Sequence, residues 1–377
     1  MPCSRRTLLK TTGLAVSSGT LASIAGCLGD SSDGGSGSGE QSTADPTTSD
    51  ESTTDQSAKT SPPDFAKWLP DPTKTPLRDG YGILYFDIAG IRDQQDTMHE
   101  NAYARLKKEM LRPVPSNYID VADVHTSIKI DFFGGAKLAL GSFDPETVGE
   151  KFTGSGKSSA TTSGSSTTTR ATTMQTSTTA TGPTWSDPVQ YHGFDLYGDS
   201  MIYAVSEDVM MKVYPPTNQD GTTGDTVELT KMIIDAATTE TSHYVDSNEY
   251  VSSMLGVVDN PDALWCYPEA MDGSDSRGFR KDVITGELKS WRFGSETTHL
   301  TFADTYPDEE TAKNGELANH IESQSRRFGS YDGLDVEVDG LMAWADGTIP
   351  TNEFDHLSAG GPSDGVHTTY NSHRSPF

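Results

Sequence analysis

The sequence predicts an α+β protein built from two tandem βαββαβ-type modules with antiparallel sheets, preceded by a long disordered tether. Three observations lead to this reading. Short apolar runs alternate with polar residues and are bounded by Gly, Pro and Asp, as half-buried strands are. Between them lie segments with apolar residues at helical spacing. Short stretches also recur at offsets of 160 to 162 before the Ser/Thr-rich segment and 140 after it, as an internal duplication with an insertion in its first copy leaves them.

Taken in order, Gly82–Ile88 alternates like a strand, and Thr97–Leu111 sets Met98, Ala102, Leu106 and Met110 on one helical face. His125–Phe133 and Ala136–Phe143 are strands separated by Gly134-Gly135, a hairpin signal. Asp144-Pro145-Glu146 opens a helix with an N-cap, a first-turn proline and an acid at the positive end of the helix dipole. Tyr191–Tyr197 and Met201–Val205 form a further hairpin. Helices at Val227–Ala237 and Glu249–Gly256 join the copies, the first with Leu229, Met232, Ile233 and Ala236 as its apolar stripe. Ala263–Tyr267, Glu287–Phe293, His299–Ala303, Glu309–Ser323, Leu334–Val338 and Leu341–Ala345 then repeat the order, with Gly273 to Gly278 replacing the first helix.

The repeat is carried by few identities. Tyr191-His192-Gly193-Phe194-Asp195 matches Tyr331-Asp332-Gly333-Leu334-Asp335, and Asp199-Ser200-Met201-Ile202 matches Asp339-Gly340-Leu341-Met342. Lys129 matches Lys289, and Leu138-Ala139-Leu140 matches Leu300-Thr301-Phe302. The element order resembles the ferredoxin-like split βαβ plan. The first module then spans 61–152 plus 185–258 and the second 259–347.

Three segments fall outside the modules. Residues 27–60 are Gly, Ser, Thr and acids with almost nothing apolar, too little to offset chain entropy. In 153–184, 20 of 32 residues are Ser or Thr, a flexible insertion in the first copy. Residues 348–377 form a polar tail with Gly360-Gly361-Pro362.

Ser4-Arg5-Arg6-Thr7-Leu8-Leu9-Lys10 resembles a twin-arginine export signal. The run that follows, to Gly26, is too short and polar for a stable membrane span. It ends in Ile24-Ala25-Gly26-Cys27, which resembles a lipobox: small side chains flank the scissile bond, and only the thiol of Cys27 can form a thioether to lipid. The resemblance implies a signal peptide over 1–26, with Arg5 and Arg6 as its recognition pair, and a two-chain lipid on Cys27. Two chains suffice for stable anchoring where one does not. The protein is thus expected outside the cell, on the outer face of the cytoplasmic membrane, with membrane lipid as its first partner.

There are 55 acidic against 28 basic residues, a formal net charge of -27. Such a surface repels itself in dilute buffer, whereas at ~1 M salt a Debye length of ~3 Å screens most of the repulsion. With the signal, this composition resembles the twin-arginine-exported surface lipoproteins of haloarchaea. It argues against nucleic acid as a partner. Cys266 is left as a single thiol, which cannot form an internal disulfide and reads as a buried core residue.

Chemistry is sparse. Gly198-Asp199-Ser200 with Asp364-x-x-His367 resembles the nucleophile and acid–base blocks of the GDS-type (SGNH) esterases. That resemblance implies Ser200 as nucleophile, His367 as base and Asp364 as its orienter. The family's oxyanion-hole blocks are absent between them, and Asp199-Ser200 also falls where both copies need a tight turn, so no catalytic residue is assigned. The nine histidines show no metal-ligand spacing, and Asn218-Gln219-Asp220-Gly221 lacks the closing Glu of a calcium loop, so no metal and no cofactor beyond the lipid on Cys27 is expected. Trp185, Tyr191, Trp291 and Trp344 could line a cleft between the modules, although alternation makes most of them core. The expectation is a non-enzymatic binding or envelope-interaction protein, with a ligand pocket between the modules as the alternative.

Overall fold

The apolar runs pair into one antiparallel sheet. The computed structural model describes residues 61–74, 80–131, 135–153, 187–216, 223–239, 241–268, 283–324 and 328–355, all within the unit Ser57–Phe377. Arg5, Arg6, Cys27, the tether, the Ser/Thr-rich insertion beyond Thr153, Trp185, Asn218 to Gly221, Gly273 to Gly278, Asp364 and His367 lie outside the described residues.

The strands are β1 (Gly82–Asp87), β2 (Val124–Asp131), β3 (Ala136–Gly141), β4 (Val189–Tyr191), β5 (Phe194–Tyr197), β6 (Ile202–Val205), β7 (Val209–Val213), β8 (Ala263–Tyr267), β9 (Gly286–Phe293), β10 (Thr297–Thr305), β11 (Asp332–Asp339) and β12 (Met342–Pro350). They lie in the order β11-β12-β10-β9-β8-β1-β2-β3-β7-β6-β5-β4, with every neighbouring pair antiparallel.

This order overturns the two ferredoxin-like modules. In the split βαβ plan the first two strands are parallel and another strand lies between them. Here β1 pairs directly and antiparallel with β2, from Gly82↔Asp131 to Asp87↔Thr126. Its other edge is occupied by β8, from Ile83↔Cys266 to Phe86↔Ala263. The two expected modules are therefore welded along a β1–β8 seam into one twelve-stranded sheet. The cleft expected between modules is closed there by hydrogen-bonded backbone. Alternation tells which face a side chain takes but not which strand lies beside it, so the sequence pattern carried the strands and not their order.

The internal matches fare unevenly. Lys129 and Lys289 both stand on the second strand from the seam, one on each side. Leu138 and Leu300 point to opposite faces of the sheet. The hairpins explain why: Lys129 opposes Lys137, whereas Lys289 opposes Phe302, so β3 and β10 are set in different registers.

Helices cover both faces. On one side α1 (Ile88–Asp93), α2 (Glu100–Met110), α3 (Pro145–Thr153), α7 (Glu309–Lys313) and α8 (Glu316–Ser323) pack a core around Phe86, Leu106, Phe152, Trp265, Trp291, Phe302 and Leu317. On the other, α4 (Thr226–Thr238), α5 (Tyr244–Ser247), α6 (Glu249–Leu255) and the segment Asp64–Trp68 cover Ile83, Ile130, Leu138, Met211, Cys266 and Leu288. A sheet buried on both faces reads as continuous apolar sequence, which is why Ile202–Val205 shows no polar alternation. Cys266 is fully buried, and burial pushes its thiol far up, as expected of a core cysteine.

Local chemistry sets the element ends. The Asp144 carboxylate accepts from the Glu146 backbone N–H (3.1 Å) and the Thr147 hydroxyl (2.5 Å), which holds its pKa below the usual carboxylate value and starts α3 as its sequence predicts. The helix expected over Glu309–Ser323 breaks at Asn314-Gly315, where Gly315 takes φ 75°. His192 and Gly193, at φ 46° and 83°, make the two-residue turn between β4 and β5. The outer strand β11 carries Asp332, Asp335, Glu337 and Asp339, charges that discourage pairing with another chain.

Candidate anion-binding face

Antiparallel pairing places opposed residues on the same face of a sheet. Successive registers therefore align Lys129 of β2, Lys137 of β3, Lys212 of β7 and Tyr203 of β6 in one row on the α2–α3 side. The row continues across the seam through Leu84 and Trp265 to Lys289. The next row inward, Ser127, Ala139 and Met210, is buried beneath the helices, with the Ser127 hydroxyl donating to the Met110 carbonyl at 2.7 Å. The lysines thus border the packed core.

Two of them converge. The Lys137 ammonium lies 5.5 Å and the Lys212 ammonium 4.9 Å from the centroid of the Tyr214 ring. Lys212 also lies 5.3 Å from the Tyr203 ring. Partial burial pulls the Lys212 pKa down, but the neighbouring Tyr203 and Tyr214 phenols outweigh it and raise the pKa on balance. Tyr118 edges against Tyr203 at 5.1 Å, and desolvation raises its phenol. Lys137 donates to the Arg112 carbonyl beyond the end of α2 (3.5 Å), and Lys151 donates to the Tyr118 carbonyl (2.7 Å). Among the described residues neither Lys137 nor Lys212 is salt-bridged to a carboxylate. In a chain of net charge -27, this is a local concentration of positive charge set against phenols.

Across the seam the same row ends differently. Lys289 is 6 % exposed and bonds the Glu287 carboxylate at 2.6 Å, with its ammonium 5.4 Å from the Phe302 ring. Its charge is answered within the fold.

Of the residues singled out in the sequence, Ser200 lies in an exposed bend between β5 and β6, where its carbonyl accepts from the Thr226 hydroxyl at 2.9 Å. That fits the tight turn; its proposed partners Asp364 and His367 lie outside the described residues. The aromatic residues do not gather. Trp291 is buried with its indole N–H donating to the Tyr331 hydroxyl at 3.0 Å, while Trp344 packs on the opposite face. The Tyr191 hydroxyl donates to Asp235 at 2.8 Å; burial and that carboxylate push its pKa up to about 12. Among the described residues no group of His, Cys, Asp and Glu is arranged to hold a metal ion, and no helix is long and apolar enough to cross a membrane. The lysine row was missed in the sequence because 129, 137 and 212 become neighbours only through strand register. The available signal was a lysine within each of three apolar strands of an acid-rich chain.

No family model and no curated protein matches the chain. Among solved structures it is similar to crystal form III of TP0453, with a TM-score of 0.40 and 11% identity, covering 81% of this chain and 100% of that one. Form IV gives a TM-score of 0.38 at 11% identity over 74% of this chain and 93% of that chain. Form I gives 0.38 at 11% identity over 78% and 95%. Likenesses at this level carry no functional information.

Proposed function

We propose that the chain is an exported lipoprotein, held at the outer face of the cytoplasmic membrane by lipid on Cys27, that acts there as a non-enzymatic binding protein. The observation that supports a binding role is the convergence of Lys137 and Lys212 on Tyr214 without a carboxylate partner among the described residues. Such an arrangement can hold an anion, but it places no nucleophile beside a base. The address is supported by Arg5-Arg6 and by the small residues before Cys27. The net charge of -27 supports a working medium of high salt and opposes a nucleic acid partner.

Replacing Cys27 with Ser tests the anchor: release into the medium is expected, and retention on the cells overturns the lipobox reading. In-cell cross-linking in native high salt, followed by mass spectrometry, tests the role. A specific partner recovered only with the anchored form supports envelope interaction. The same bulk proteins from anchored and Cys27→Ser chains remove that part and leave binding of a small ligand. Dialysis into dilute buffer is expected to unfold the protein; a fold indifferent to salt overturns the halophilic reading.

A further inference from the structure

We infer that Lys137, Lys212 and Tyr214 form a site for a tetrahedral oxyanion, the phosphate or sulfate group of a small ligand. The inference rests on the binding role proposed above and narrows it to one ligand chemistry. Directly opposed residues on neighbouring strands have β-carbons about 5 Å apart, and like charges set opposite each other destabilise a sheet. Lys137 and Lys212 are such a pair, and both ammoniums are drawn to the same ring. The Tyr214 ring is shared by both cations and the Tyr203 ring faces Lys212 alone, and such quadrupoles compensate full charges only in part. An anion seated between them would convert the repulsion into two charge-assisted hydrogen bonds.

The donor geometry narrows the class. Ammonium groups are compact point charges with three rotatable donors each, suited to oxygens arrayed in three dimensions. Lysine binds phosphate as such a point charge, whereas arginine's planar fork grips carboxylate and phosphate alike in a bidentate fashion. The Tyr214 phenol, whose ring centroid lies 4.9 Å from the Lys212 ammonium, brings a hydroxyl donor to the same pair. The charge balance limits the size of the ligand. With 55 acids against 28 bases, a long polyanion leaving this row would meet acidic surface, whereas a single oxyanion would not.

The test is lysine reductive methylation of the full-length Cys27→Ser chain in high salt, read residue by residue by mass spectrometry. Inorganic phosphate is titrated at constant ionic strength. Modification of Lys137 and Lys212 is expected to slow about tenfold once phosphate exceeds its dissociation constant by about that factor. Lys313, which pairs with Glu309 on the exposed face of α7, serves as the unprotected control. Vesicles displaying phosphatidic acid form a second arm. Protection by free phosphate alone assigns a soluble ligand, and protection by the vesicles alone assigns a lipid headgroup; either supports the site. Protection by glucuronate but by neither phosphate source overturns the oxyanion class and leaves the binding role standing. No protection by any anion overturns the site, and the cross-linking outcome above then decides the binding role by itself. Lys212→Met is expected to abolish the phosphate effect at Lys137, and Tyr214→Phe, which keeps the ring, to weaken it; undiminished protection of Lys137 in Lys212→Met overturns the site.

Discussion

Lys289 and Lys212 stand in one row of the same sheet face, on opposite sides of the β1–β8 seam, and the fold treats them differently. Lys289 is buried and carries its own counter-charge in Glu287, two residues along β9. Lys212 is half-buried, opposes another lysine and lies over two phenol rings. A charge taken out of water must be answered by a partner, and the partner's nature tells the charge's purpose. A carboxylate completes Lys289 as part of the structure. A tyrosine keeps Lys212 ionised without neutralising it, and so leaves it able to meet an anion from outside.

The sharpest way to break this contrast is to remove Glu287. Glu287→Leu removes the carboxylate partner of a buried ammonium and is expected to cost about 3–5 kcal/mol in denaturant unfolding at high salt. Replacing Lys289 by Met in the same chain is expected to recover most of that loss, because the buried charge goes with it. A single variant as stable as the parent would mean that Lys289 is no more structural than Lys212.

A smaller effect is expected at the end of the seam, where Asp87 and Asp262 come from the two halves. Burial, with a lesser push from the charge of Asp87, raises the Asp262 pKa to about 6 against the pull of the Phe293 backbone N–H, 2.6 Å away. The folded state then holds a proton that the unfolded chain releases near pH 4. Stability is therefore expected to fall as pH rises from about 4 to about 6, by up to ~2 kcal/mol. Urea titrations of the parent and Asp262→Asn across that window check it. The variant should lose this slope, and an unchanged slope would place the titration elsewhere.

The smallest effect is expected at the lysine row itself. Lys212→Met removes one of two opposed charges along with its contacts to two phenol rings, so stability should change by less than about 1 kcal/mol in either direction. A loss above ~2 kcal/mol in the same denaturant assay would make Lys212 a structural charge like Lys289 and erase the contrast.

The local half of this architecture was legible in the sequence. The stripe of Met98, Ala102, Leu106 and Met110 is buried as its spacing predicts, and Asp144 caps α3. Strand β7 was missed because Val209 to Val213 is an apolar run that, read alone, distinguishes neither a strand nor its neighbours. The seam was missed for a different reason. Ile83 and Cys266 are each ordinary core residues, and nothing local says that they lie side by side. The site inherits that difficulty. Each lysine is visible in the sequence, but the charge density they create depends on the register of the β2–β3 hairpin and on that between β3 and β7, which lie far apart in the chain.

The seam also bears on how the molecule comes into being. Loop-closure entropy must be overcome before distant segments reward each other, and folding slows as contacts span longer stretches of chain. The Tyr81 backbone N–H donates to the Tyr244 hydroxyl, 163 positions away, and β1 finds its second neighbour only in β8, farther still. A nascent chain that ends before β8 leaves one long edge of β1 unpaired in the middle of the future sheet. Such an edge invites pairing with other chains. The sheet's midline is thus among its last parts to close, and the interval before it closes is when the chain is most exposed to misassembly.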